Sequence, residues 1–522
     1  MPLPTDPNAP WPPEPWQPVQ RDMDEAAVWY AGDTRQLETF YANDGRGATR
    51  PSDKAIGAGI LSRAKFWARR SDDTSTDRQR LHAPAASDIA ATSADLLFGD
   101  EPRLTIPEAH EETAEPAAKK TEDRLLQLAD EDGWASTLID AAEIAAGLGL
   151  VFLRPVWDRQ LADRPLLTVV HGDHAVPEYR HGQLVAVTFW RVVQVDGRNA
   201  VWRHLERYER GAILHGLYVG TWQALGQKVA LSTHEDTKAL DVNDDGVVEV
   251  PDELRGELLV RQVPNALNRK HRGWPVGRAD TAGCEGLMDS LDETWTSLVR
   301  DIRLAKARLV VPDEFLDRGG RGGGASFDTD AEIFSPLNMD PANMEKAGIT
   351  FVQAAIRAED HIRAATELFQ TIVQTAGYSP QSFGMQGDGA QITATEVDAK
   401  QSKSFRTTAR KQRHWRRATE DIAEMMLVLD AVLFGSGVEP MRPRLEFPDP
   451  DDGDPRKVAE TLNLLAMAQA ASIEARVKMA QPDLEGEELA AEVQRIKDEQ
   501  GLGALPDPTG FPPPDDPEDG AP

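Results

Sequence analysis

From Gly283 onward the apolar positions fall into a helical rhythm. Cys284, Met288, Leu291, Trp295, Leu298, Ile302, Ala305 and Leu309 are separated alternately by four and three residues. That spacing draws one apolar seam along a helix and predicts a first long helix within 276–311, ending at VVPDEF. A second helix is predicted over 351–376, and a third from Thr393 to about Leu433 within 393–435. The third would be about 60 Å long at about 1.5 Å per residue. Between the first two lies DRGGRGGGASFDTDAEIF, glycine-rich, with a short strand candidate at its end.

The earlier chain changes texture twice. From Asp22 to about Asp132 the pattern is helical with polar breaks. SDIAATSADLLFGDEP (Ser87–Pro102) reads as a helix capped by Ser87, with Ile89, Ala90, Ala94 and Leu97 on one face and Gly99 and Pro102 as its stop. Trp134–Gly147 is another apolar helix. Then LVFLRPVW, LLTVVHG, LVAVTFWRVVQV, NAVWRHLERYE and ILHGLYVG follow, short and rich in β-branched and aromatic residues. They predict a β-rich region to about Val263. Residues 1–19 are proline-rich and read as a disordered, extended arm. Near the other end, MRPRLEF is a predicted strand and PDPDDGDP a linker (436–455). Two acidic helices follow, near Arg456–Met479 and Leu484–Gln500. Residues 501–522 read as a disordered acidic tail. The class is α+β, mainly helical, and the length calls for more than one core.

Charge narrows the functional classes. The net charge is −30, the wrong sign for a domain that grips DNA by neutralising phosphates. The charge is uneven. From Pro448 onward there are 18 acidic and 6 basic residues, whereas Lys400–Arg417 holds eight basic residues and no acidic one. Lys400, Lys403, Arg406, Arg410, Arg413 and Arg417 share a broad helix face. Three readings of it stand open: a solvated face, pairing with acidic groups in an oligomer, and contact with DNA phosphates. A single cysteine, Cys284, leaves no internal disulfide and no cysteine zinc site. No apolar run reaches the roughly 20 residues of a membrane span, and the N-terminus lacks the regions of a secretory signal.

The candidate chemistry is sparse. YSPQSFGMQGDGAQITATE (Tyr378–Glu396) joins two helices and contains Gly384, Met385, Gln386, Gly387, Asp388, Gly389 and Gln391. It lacks the lysine and the preceding strand of a phosphate-binding loop. It reads as a flexible polar loop. DVNDDGVVEVPD (Asp241–Asp252) has calcium-loop spacing, with Asp241, Asn243 and Asp245 at positions 1, 3 and 5, Gly246 at 6 and Glu249 at 9. Position 12 is Asp252 and the flanks are not helical, so a hairpin turn is the plainer reading, and no metal or other cofactor is expected. HGDHAVPEYRHG offers His171, Asp173, His174, Glu178 and His181, but no helical spacing presents two histidines on one face, and it reads as a β-edge loop. No nucleophile–base set with a supporting motif is found, and the chain reads as non-enzymatic.

Four ordered segments resemble the portal proteins of tailed bacteriophages, of the type found in long-tailed phages of actinobacteria. SDIAATSADLLFGDEPRLTIP resembles the family's early wing helix and following strand. GDHAVPEYRHGQLVAVTFW resembles its β-rich wing. GRADTAGCEGLMDSLDETWTSLVRDIRLAKARLVVP resembles the helix entering the stem. GYSPQSFGMQGDGAQITATEVDAKQSKSFRTTARKQRHWRRATEDI resembles the tunnel loop and the long helix after it.

The resemblance implies a wing over 20–275, stem helices over 276–311 and 351–376, a clip over 312–350, a tunnel loop over 377–392, a long wing helix over 393–435 and a helical crown over 456–500. It implies a ring, usually of about twelve subunits, at a capsid vertex of the virion, assembled in the host cytoplasm. Double-stranded DNA would be packaged and ejected through its channel. The implied partners are the terminase large subunit, the head–tail adaptor, and the major capsid and scaffolding proteins, with no membrane. Met288, Leu291, Trp295, Leu298 and Ile302 are then expected to form the seam between subunits. Two rival readings are another phage head or adaptor protein and a calcium-dependent enzyme hosted by the β-rich region.

Overall fold

A computed structural model describes residues 3–43, 80–110, 116–197, 199–305, 308–310, 317–318, 325–326, 350–352, 356–385, 394–448, 455–468, 470–481, 484 and 486–499. Most of the 312–350 segment, Gln386, Gly387, Asp388, Gly389, Gln391 and the 501–522 tail lie outside the described residues. The fold is α+β and about half helical. The chain divides into two units, Met1–Glu446 and Phe447–Pro522. No helix among the described residues is long and apolar enough to cross a membrane.

The first unit opens with α1 (Gln17–Ala31), α2 (Thr34–Asn43), α3 (Ala85–Phe98), β1 (Arg103–Thr105), α4 (Pro116–Glu131) and α5 (Trp134–Leu148). Alanine decides how α3 and α5 meet. Ala86, Ala90 and Ala94 on one and Ala141, Ala142, Ala145 and Ala146 on the other are all nearly fully buried, and their short side chains let the two helices pack closely. Helix α3 begins before the expected cap: Ala85 is its first residue, and Ser87 lies inside it with Oγ donating back to Pro84 O at 3.0 Å.

The β-rich region then comprises β2 (Leu150–Val156), β3 (Leu166–His171), β4 (Ala175–Arg180), β5 (Gln183–Val195), β6 (Val201–Glu209), β7 (Ala212–Gly220), β8 (Gln227–Val229), the short α6 (Glu235–Lys238), β9 (Val247–Glu249), β10 (Arg261–Pro264), β11 (Ala266–Leu267) and β12 (Gly277–Arg278). One antiparallel sheet has the order β4-β5-β6-β7-β8, with β9 also on β7. A second has the order β10-β2-β3. Strand β2 is buried on both faces, which explains its continuous apolar run LVFL. Longer β5 alternates only in part and carries a register shift between Val192 and Gln194.

The proline-rich N-terminus is packed, contrary to the expectation of a disordered arm. Leu3, Trp11 and Trp16 are 6%, 7% and 1% exposed. Pro10 bridges to Ala224, Leu225 N donates to Ala9 O and Tyr218 Oη donates to Pro4 O. Trp16 meets Trp274 edge to face at 5.6 Å. Proline suits an extended segment, and three large apolar side chains supply the burial that holds it.

After β12 comes α7 (Glu285–Leu304), then β13 (Arg308–Val310), β14 (Asp317–Arg318), β15 (Ala325–Ser326), β16 (Thr350–Val352), α8 (Ala358–Ala376), α9 (Ala394–Leu433) and β17 (Arg444–Glu446). Helices α7 and α8 run antiparallel. Asp301 near the end of α7 accepts from His361 near the start of α8, and β13 pairs with β16 beyond them. The apolar seam was expected to stay helical to Leu309. The helix closes at Ala305, and Leu309 lies in β13, opposite Phe351. The second helix starts at Ala358 rather than 351, because 350–352 are taken by that pairing. Helix α9 spans 40 residues, within one residue of its predicted start. Strand β17 returns to pair with β1.

In the second unit, α10 (Pro455–Met467), α11 (Ile473–Ala480) and α12 (Gly486–Glu499) replace the two helices expected. The first predicted helix breaks because Ser472 is a cap: its backbone is extended and its Oγ accepts from Ala475 N at 3.1 Å.

Candidate functional site

The chain leaves α8 through Gly377, whose φ of 108° few side-chain-bearing residues adopt. It then runs along α9 instead of departing from it. Thr407 Oγ1 donates to Gly377 O at 2.7 Å, Lys403 Nζ to Gln374 O at 2.5 Å, and Ser379 N to Ser404 Oγ at 2.9 Å; the hydroxyls of Ser382 and Ser404 are also 2.9 Å apart. A short 3-10 turn, Pro380–Phe383, closes at Gly384, again left-handed with φ 70°. Of the predicted loop residues, Gly384 and Met385 are thus the end of a clamped segment. The remaining five lie outside the described residues. The clamp uses the hydroxyls of Ser404 and Thr407 and the ammonium of Lys403, three residues of α9 within the basic run.

Below the clamp is a buried polar node. Lys411 Nζ lies 2.6 Å from Asp280 Oδ2, 2.7 Å from Ser93 Oγ and 2.8 Å from Tyr378 Oη. Tyr378 Oη lies 2.8 Å from both Ser93 Oγ and Asp280 Oδ2, and Asn265 Nδ2 donates to Asp280 Oδ1 at 2.8 Å. Burial pulls the Lys411 pKa below the usual lysine range against the opposing pull of Asp280. Burial pushes the Tyr378 phenol far up, and the Asp280 charge beside it adds to that. Tyr378 therefore stays a neutral donor. The node joins α3, the segment before α7, the segment after α8, and α9. Sequence reasoning counted Lys411 among the eight basic residues of Lys400–Arg417 and gave it no role of its own. The available signal was its register: Lys411 lies four residues from Thr407 and Trp415 and seven from Ser404, all on the buried face.

Lys403, Arg406, Arg410, Arg413 and Arg417 are exposed, opposite that buried face. Lys400 lies in α9, and its side chain is outside the described residues. Arg406, Arg410, Arg413 and Arg417, spaced four, three and four, form a stripe along one side of the helix. No carboxylate among the described residues is within ion-pair reach of these four guanidinium groups. The nearest acids along the helix face are engaged elsewhere: Asp421 pairs with Arg261 and Arg442 at 2.7 Å each, and Glu424 pairs with Arg442 at 3.0 Å.

The expected seam between subunits is corrected. Met288 and Leu291 are 2% exposed and Leu298 is 7%, all within one chain. Met288 and Leu291 sit in a core with Trp29, Tyr41, Ile89, Ile372 and Val373, and Trp295 packs against it. The seam is covered by α8 and the N-terminal helices of the same chain, so it is no open face. Ile302, at the far end of α7, is 47% exposed.

The Asp241 segment is a turn. Asn243 Oδ1 accepts from Asp245 N and Val247 N at 3.0 and 2.9 Å, and Gly246 takes φ 77°. The oxygen offered for an ion at the third position is thus held by backbone, and Asp241, Asp245 and Glu249 are exposed. The histidine-rich corner separates. Glu178 pairs with Arg207 at 2.6 Å, and His181 occupies a turn with φ 51°. His171, Asp173 and His174 converge, their ligand atoms within 4.8 Å of one another. The expectation that no helical spacing gathers two histidines overlooked that His171 and His174 are three apart, and a tight 3-10 turn, Gly172–His174, brings them together.

No curated protein matches the chain. The family described as "Phage portal protein, SPP1 Gp6-like" matches residues 29–500. That match takes in α2 to α12, including the antiparallel helix pair, the clamped segment and the long helix after it. The chain belongs to the SPP1 Gp6-like family of phage portal proteins.

Proposed function

We propose that this portal protein assembles as a ring at the capsid vertex, and that the loop Gly384–Gln391 lines the narrowest part of a channel for double-stranded DNA. The terminase and the head–tail adaptor dock on the same ring, through the segment between β13 and β16. The observation that carries the loop assignment is the clamp. The segment leading into the loop is fixed to α9, through Gly377 O to Thr407 and Ser379 N and Ser382 Oγ to Ser404. The loop includes Gln386 and Gln391 and no cation. Amides touch a passing duplex without the counterion release that makes phosphate contacts tight.

The arginine stripe fits carboxylates of a neighbouring copy. Each copy carries −30, so ring closure brings like charges together, and an unpaired cationic stripe supplies the opposite sign.

The loop assignment is tested by the length of DNA packaged per particle. Gly387→Pro with Gly389→Pro restricts the backbone and is expected to leave rings intact while impairing packaging or retention. Gln386→Lys with Gln391→Lys is expected to slow DNA passage in a salt-dependent way. Full-length genomes packaged at parental rates by both variants would show that the loop does not meet the DNA.

A further inference from the structure

We propose that His171, Asp173 and His174 form a binding site for a divalent first-row transition ion, with zinc as the reference metal. The turn Gly172–His174 joins β3 to β4, and with His171 as the extended residue leading into it the ligand atoms of His171, Asp173 and His174 lie within 4.8 Å of one another. Asp173 Oδ1 lies 3.2 Å from His174 Nδ1. That oxygen is shielded from solvent and, among the described residues, faces the His174 ring as an ion pair. Two donors about 3.3 Å apart are what a tetrahedral zinc needs when each ligand sits about 2.0–2.1 Å from the metal. The third donor, on His171, is within 4.8 Å, and its ring is exposed and able to turn inward.

The surroundings supply the orientation that metal sites require. The Trp190 ring stands edge to face against His174 at 5.3 Å. Gln20 of α1 is 7% exposed, and its Nε2 donates to Asp173 O at 2.8 Å and to Asp24 Oδ1 at 3.0 Å. Gln20 Oε1 is buried with no hydrogen-bond partner. Asp24 adds a second carboxylate that the ion's charge would offset. Imidazole and carboxylate together select zinc, copper, nickel or cobalt over magnesium and calcium. With three protein donors and one open position, the ion would sit wholly within the β3–β4 corner, which Gln20 already links to α1.

The test uses full-length, untagged protein stripped by chelator and dialysed free of it. Calorimetric titration with zinc chloride is expected to show one ion per chain with micromolar or tighter affinity. Cobalt(II) is expected to give the strong visible absorption of a tetrahedral complex. His174→Ala and Asp173→Asn should each weaken zinc binding by about 100-fold, and Gln20→Ala by about tenfold as a residue behind the ligands. His171→Ala, at an exposed position, serves as ligand variant should either of the others fail to fold. Zinc should raise the melting temperature of the parent and not of the ligand variants. Absence of binding at millimolar zinc, or binding that survives His171→Ala and His174→Ala, overturns the assignment.

Discussion

Lys411 and Asp280 stand 131 residues apart in the chain and 2.6 Å apart in space, each side chain 2% exposed. One lies on the long helix after the loop, the other just before α7. Tyr378 completes the contact from the segment that leads into the loop. A charge pair at such depth is held in one geometry by its four further hydrogen bonds, two on Lys411 and two on Asp280, so its members are positioned rather than mobile.

Removing one partner strands the other. Lys411→Met is expected to cost about 3–5 kcal/mol, because Asp280 is left buried and uncompensated. The double variant Lys411→Met, Asp280→Asn should cost clearly less than the two single changes added together. Urea unfolding followed by tryptophan fluorescence reads all three. Additive losses would show that the pair is not a coupled unit.

At Gly377 the backbone is left-handed, and a Cβ there would sit 3.1 Å from Thr407 Oγ1. Gly377→Ala is expected to destabilise by about 1–3 kcal/mol through strain at that φ. It should also open the clamp at the loop base. Limited proteolysis would then cut earlier between 377 and 393 than in the parent. An unchanged cleavage pattern would place the clamp's strength in Ser404 and Lys403 instead.

Acid should weaken the large sheet. His204 and His215 stack at 5.3 Å across β6 and β7. Burial, then the neighbouring His215, lowers the His204 pKa to about 4, and burial lowers that of His215. Glu206, Arg154 and Arg191 also face the pair. Glu206, raised by burial but lowered further by Arg154, stays ionised down to about 2. Both histidines bind protons less readily when folded than at the unfolded value of about 6.5, so stability is present above that pH and falls as pH drops toward 4. His204 alone accounts for about 3 kcal/mol of that loss. Calorimetric melting between pH 7 and about 4.5 should show the fall, and His204→Phe should flatten it. An equal slope in the variant would assign the acid sensitivity elsewhere.

Reversing the arginine stripe separates assembly from folding. Arg406→Glu with Arg413→Glu changes exposed groups without partners, so melting should shift by the equivalent of no more than about 0.5 kcal/mol. Light scattering should show ring formation impaired, most at low salt. Normal rings with altered DNA retention would move the stripe's partner from a neighbouring subunit to nucleic acid.

The parts legible in sequence were those with strong periodicity. Strands β2, β3, β5, β6 and β7 and helix α9 fall where alternation and the helical period put them. What escaped has a physical reason in each case. The seam from Met288 to Leu298 announces a buried helix face but not its partner, and α8, beginning more than fifty residues later, fills it. Lys411 carries the same charge as the exposed arginines around it, and only its register with Ser404 and Trp415 betrays burial. His171 and His174 are three apart, and what the sequence did not show is the tight turn at Gly172–His174 that draws them together between two strands. Ser87 looked like a cap, yet α3 starts two residues earlier, and its hydroxyl bonds back to the turn.

The packed N-terminus bears on how the protein can be handled. Composition alone invites trimming residues 3–16 as a dispensable leader. Their removal would uncover the apolar surface of β7 beside Gly216 and Tyr218, together with the Trp274 ring that Trp16 covers. A shortened chain would carry a greasy patch on an otherwise highly charged surface, and such patches recruit other molecules indiscriminately. Aggregation of a trimmed protein would therefore report the loss of this covering, not a failure of the ring.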